Sequence, residues 1–168
     1  MPIIDTEIHF HLSGGAANAN PDLSLGGTIS SHAIISASAT ELYDDITGAE
    51  ALAGCVKYRA FYVQNASTGY PWQTPNTWIR TNTPSAGTNA KMGLDPVGLY
   101  STGTTILDET CAPSGVTFSL PSSAAPLTML DVPTTQWYCV WTELTVTAGC
   151  TGFSTDSFVI AFEGGSDA

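Results

Sequence analysis

Residues 55–64 read Cys-Val-Lys-Tyr-Arg-Ala-Phe-Tyr-Val-Gln (CVKYRAFYVQ) and run into Asn65-Ala66-Ser67. The stretch is rich in β-branched and aromatic side chains and ends in turn formers, which predicts a strand. Successive side chains of a strand point to opposite faces. Val56, Tyr58, Ala60 and Tyr62 therefore share one face, and Lys57, Arg59, Phe61 and Val63 share the other.

Further strands are predicted on both sides of this one. Residues 7–12 (EIHFHL) alternate strictly, with Ile8, Phe10 and Leu12 together. Residues 77–82, 90–94 and 115–120 are three more candidates, the last with Val116, Phe118 and Leu120 on one side. Along 135–147, Tyr138, Val140, Thr142, Leu144 and Val146 oppose Trp137, Cys139 and Trp141. Residues 157–163 (SFVIAFE) turn Phe158, Ile160 and Phe162 inward. Residues 41–54 fit either a turn or a short helix. No run of ten or more residues keeps a helical period, so no helical crossovers join parallel strands. The expectation is one all-β domain over 1–168, an antiparallel β-sandwich of jelly-roll or Ig-like type with seven to eight strands. Residues 13–31 (SGGAANANPDLSLGGTISS) carry few large side chains and read as a long loop or extended arm, and 164–168 as a short polar tail.

Charge narrows the function. Four Lys+Arg against 15 Asp+Glu give a formal net charge of −11. Such a field repels nucleic acid, whose phosphates need clustered cations, and it repels anionic membranes too. Only 11% of residues are charged, so the surface is largely neutral and short-chained, which costs little rotamer entropy on docking. Residues 1–12 lack the basic start and continuous apolar run of a signal peptide, and no apolar run is long enough to cross a bilayer. A reducing compartment then favours free thiols at Cys55, Cys111, Cys139 and Cys150, with two disulfides as the alternative.

Catalytic constellations are weak throughout. Gly14-Gly15 and Gly26-Gly27 lack the strand–loop–helix setting of a phosphate cradle. His9 and His11 project from one face and could take a transition metal with His32 or a carboxylate as third ligand, but outward polar positions explain them better. Asp44-Asp45 with Glu50, and Asp108-Glu109, lack the alternation of a calcium loop. Neither metal nor cofactor is expected, nor is catalysis. Trp72, in the Pro-bounded loop YPWQTP, is the aromatic best placed to stack on a sugar ring, with core or interface positions expected for Trp78, Trp137 and Trp141. Lys57 and Arg59, with Arg80 nearby, concentrate the cations into a patch that orients an acidic partner, unless neighbouring carboxylates pair with them.

The strings LSGGAAN (12–18), NPDLSLGG (20–27) and ISS (29–31) resemble the start of a group of tailed-bacteriophage virion proteins. The likeness continues at 42–50 (LYDDITGAE), 58–63 (YRAFYV), 84–88 (PSAGT), 112–119 (APSGVTFS) and Val140-Trp141. Two places depart from it: Trp137-Tyr138-Cys139 stands where a basic residue often precedes Val-Trp, and Tyr70-Pro71-Trp72 is an unusual aromatic insert. The resemblance implies a β-sandwich virion subunit without catalytic residues, most simply a head decoration (cement) protein. Such a protein is made in the bacterial cytoplasm and held outside the major capsid protein, beside further copies of itself, with a trimer as one expected arrangement. Avidity over a symmetric shell would replace a deep pocket. Candidate interaction residues are Gly14, Gly15, Asn18, Pro21, Leu23 and Leu25 in the arm, together with Trp72, Lys57 and Arg59. If the arm works alone, deleting 14–30 leaves a folded domain that no longer binds particles. A tail, neck or baseplate subunit and a carbohydrate-binding module are the alternatives.

Overall fold

The computed structural model describes residues 3–36, 40–83, 85–151 and 156–166. Two antiparallel sheets form a β-sandwich, as the period-two runs require. The larger has the order β1 (Ile8–Leu12), β2 (Cys55–Asn65), β6 (Trp137–Val146), β4 (Thr88–Leu99). The smaller has the order β5 (Leu127–Thr128), β3 (Gln73–Thr81), β7 (Val159–Gly165). The single helix among the described residues, α1 (Gly48–Ala53), opens on a reciprocal cap in which Thr47 and Glu50 bond each other's backbone amides.

Register fixes which side chains face inward. Phe61 lies opposite Val140 and Val63 opposite Tyr138, so these four point between the sheets. There they join Trp72, Ile79, Ala90, Met92, Met129 and Val132 in one core, flanked by the rings of Phe10 and Phe162. Burying each large apolar side chain contributes about 1.5–3 kcal/mol. The opposite face of the larger sheet is not left in water. Ala60, Tyr62, Cys139 and Trp141 form a second core with Ile106, and Leu25, Ile29, Val116 and Phe118 pack over it from the loops.

Several expectations are narrowed or changed. Residues 13–31 take the loop alternative and not the arm. Gly15 N bonds Thr28 O, Ser30 N bonds Leu12 O, and Ser13 Oγ, fully buried, joins Ala60 O to Gly26 N. The segment is a knit loop lying on the sheet, and deleting 14–30 would strip part of the second core's cover. Residues 115–120 do not form a strand. Bracketed by Pro113 and Pro121, they bond β4 only where Ser119 and Met92 exchange hydrogen bonds, and Leu120 is 53% exposed. β5 is two residues long, too short for any pattern to announce. Gly164 and Gly165 belong to β7 rather than to a tail. Residues 167 and 168 of that tail, and Pro84 of the resemblance, lie outside the described residues.

Candidate functional site

The alternation of β2 puts Lys57 and Arg59 on the same inward face as Phe61 and Val63, opposite Leu144 and Thr142. Both cations are 1% exposed. A buried charge is tolerated only when paired and hydrogen-bonded, and three separate loops supply the partners. Lys57 Nζ lies 3.0 Å from Asp44 Oδ1, 2.8 Å from Glu50 Oε1 and 3.4 Å from Glu109 Oε1. Arg59 Nη2 donates to Glu109 Oε2 and lies 3.3 Å from Asp22 Oδ1. Its guanidinium carbon stands 5.6 Å from the centre of the Tyr43 ring, and the Tyr43 hydroxyl is 2.9 Å from Thr142 Oγ1.

Electrostatics follow this geometry. Burial opposes the Lys57 charge, but its hydrogen bonds to the Glu50 and Asp44 carboxylates more than offset this and raise the pKa. The bonds from Lys57, then from Thr47, hold the Glu50 carboxyl at about 2. Burial pushes the Tyr43 phenol upward. The four carboxylates are only partly covered, with side chains 26–47% exposed, so the cluster is a buried cationic pair beneath an acidic surface.

The clamp organises a docking platform. Arg59 ties Asp22, in the 3-10 turn Pro21–Leu23, to Glu109. These loops run side by side, because Gly26 bridges Thr105 and Ile106 N bonds Leu25 O at 3.0 Å. They also satisfy the part of β2 that β1 does not reach: Ala60 N bonds Ser24 O and Tyr58 N bonds Glu109 O. The loop pair presents Leu23 at 56% exposure and Leu107 at 88%. Next to Leu23, residues 14–20 outline a shallow open concavity.

Gly26 is required at the crossing of the two loops. Its φ is +85°, and a Cβ there would sit 1.8 Å from Thr104 O and 2.8 Å from the Trp141 ring.

A second buried group holds the adjoining turn. Asp95 is 1% exposed. Its Oδ1 accepts from Val97 N and Gly98 N at 2.9 and 3.3 Å, and its Oδ2 from Thr104 N and Trp141 Nε1, both at 2.8 Å. Four donors satisfy this carboxylate as a structural hub.

The predicted site residues therefore divide. Gly14 and Leu23 are exposed on the platform, Gly15, Asn18 and Pro21 are half-buried within it, and Leu25 packs downward into the second core. Lys57 and Arg59 do not form a surface patch; they are buried and paired. Trp72 does not stand in an open loop. It is 4% exposed, its backbone exchanges hydrogen bonds with Val132, and its ring lies 6.3 Å from that of Phe162, so it offers no face to a sugar. Leu107, Asp22 and Asp95 escaped the sequence reading. The alternation that put Lys57 and Arg59 on a core face was the available signal that acids must close over them.

The His9 and His11 rings are 6.1 Å apart, and both buried ring nitrogens of His11 lack a hydrogen-bond partner. Burial, then proximity to His9, lowers the His11 pKa. Among the described residues, no group of three or more His, Cys, Asp or Glu is placed to hold a metal ion, and no helix is long and apolar enough to cross a membrane. All four cysteines are free thiols. No protein family, curated protein or solved structure matches the chain.

Proposed function

We propose that this chain is a non-enzymatic structural protein of a phage particle, a decoration subunit that docks on the outside of the major capsid shell. The observation that carries the reading is the clamped loop platform. Two buried cations spend their charge on holding loops still, and those loops present bare leucines over a shallow surface. Rigid apolar projections suit docking onto a protein face, because little freedom is lost on contact. Of the strings that resemble phage virion proteins, residues 12–18 and 20–27 form one of the two platform loops, 58–63 lie in β2 beneath, and 112–119 bring Val116 and Phe118 onto the second core. Three of the four cations, Lys57, Arg59 and Lys91, are paired with carboxylates, which leaves little to attract a polyanion.

Mass spectrometry of purified particles tests the reading. Copies in stoichiometric ratio to the major capsid protein are expected. Only a few copies per particle would move the protein to the neck, tail or baseplate, and none would end the proposal. Replacing Leu23 and Leu107 together by Ser should leave the fold intact and release the protein from particles.

A further inference from the structure

We infer that β7 is the seam of a two-fold homodimer in which two copies join their smaller sheets edge to edge. The inference does not depend on the phage reading.

The sheet margins are treated unequally. β1 is sealed by residues 32–34, through Leu12 N to His32 O and Ile34 N to Phe10 O. β4 is bonded by Ser119, and β5 is too short to recruit a strand. β7 is seven residues long (VIAFEGG), pairs with β3 on one side and, among the described residues, makes no backbone hydrogen bond on the other. Among the described residues, two contacts flank its ends: Ile3 N donates to Ser166 Oγ at 2.9 Å, and the Phe158 ring lies 6.0 Å from that of Tyr43. An unpaired edge is a template for another strand, and proteins usually blunt one with Lys, Pro or a short length. β7 uses none of these.

The charges specify a second copy as the occupant. At −11, two copies repel unless their contact is charge-poor or complementary. The outward face of the smaller sheet holds half-buried Trp78, Val159 and Ala161, and among its few charges Arg80 and Glu163. Arg80 is exposed and has no ion-pair partner among the described residues. It stands in the β3 irregularity beside Val159, whereas Glu163 lies opposite Asn76. In an antiparallel seam with its two-fold at Ala161, Glu163 comes opposite Val159 of the second copy, whose β3 partner is Thr81, with Arg80 in the irregularity beside it. Two strand spacings, about 10 Å, then separate the two backbones, within reach of both long side chains. Symmetry makes the pair twice.

Sedimentation velocity of the full chain tests this. A dimer is expected. Glu163→Arg and Arg80→Glu should each weaken it by roughly tenfold through like-charge contact, and the double reversal should restore it. Ala161→Lys, which sets two lysines on the axis, should give a folded monomer. Amide exchange along β7 should slow as concentration rises. A wild-type monomer at all concentrations, or a dimer indifferent to both charge reversals, overturns the inference. A dimer that is absent from particles defeats only the proposed function, and a monomer found on particles defeats only the seam.

Discussion

The larger and smaller sheets are built from the same alternating strands, yet they meet water differently. The larger is covered on both faces, by the inter-sheet core and by loops knit over Trp141, and its margins are bonded. Among the described residues, the smaller leaves Trp78, Val159 and Ala161 half-covered on its outer face and gives β7 no second strand partner. Polar groups account for the contrast. Lys57, Arg59, Asp95 and Ser13 are all buried around the larger sheet and bind loops to it. Beneath one sheet, buried charge works as an attachment for loops; the other attracts none and stays open.

The contrast can be broken most severely at its tightest points. Gly26→Ala should cost about 3 kcal/mol or more, because both the positive φ and the Thr104 contact forbid a methyl group. Gly69→Ala, with open space around it, is the control, and urea unfolding compares the two. Asp95→Ala should lower stability by about 3 kcal/mol, since four donors lose their acceptor at once.

Arg59→Ala should cost about 2 kcal/mol, less than a fully buried pair, because its acid partners are partly in water. Its signature is faster amide exchange at residues 22–26 and 105–109 while β6 stays protected.

Acid should act in two windows. The folded-state pKa of His11 is lowered, so its contribution is complete above the unfolded value of 6.5 and is lost as pH falls below it. Glu50, held at about 2 against 4.5 unfolded, contributes above 4.5 and loses that contribution as pH falls towards 2. His11→Asn should flatten the first step and Glu50→Gln the second in urea midpoints measured against pH. The smallest effect belongs to the exposed Leu130, just past β5. Leu130→Ser should shift stability by less than about 0.5 kcal/mol. A large loss there would mean that this side chain is covered after all.

Much of the fold was legible in period-two patterning. β1, β2, β6 and β7 announce themselves because each places large apolar residues at alternate positions between turn formers. β5 did not, since two residues carry no period. Residues 115–120 alternate convincingly yet meet the edge of β4 at Ser119 alone, a condition that local pattern does not reveal. The platform was only half legible. The loop at 13–31 stood out by composition, but its anchoring depends on Asp22 and Glu109 reaching Arg59 across the chain, and Leu107 looks in sequence like any loop leucine. Trp72 misled because a Pro-bounded aromatic suggests an open loop, whereas Pro75 sits inside β3 and its carbonyl accepts from Met129 N at 2.8 Å.

The ion clamp also joins segments that the sequence keeps far apart. Asp22 lies 37 residues from Arg59 and Glu109 lies 50 away, yet one guanidinium holds both. Loop-closure entropy grows only slowly with chain length, so charge-assisted hydrogen bonds suffice to keep such distant loops side by side. The spacing of the two exposed leucines is thereby set from below, by a group that itself never reaches solvent.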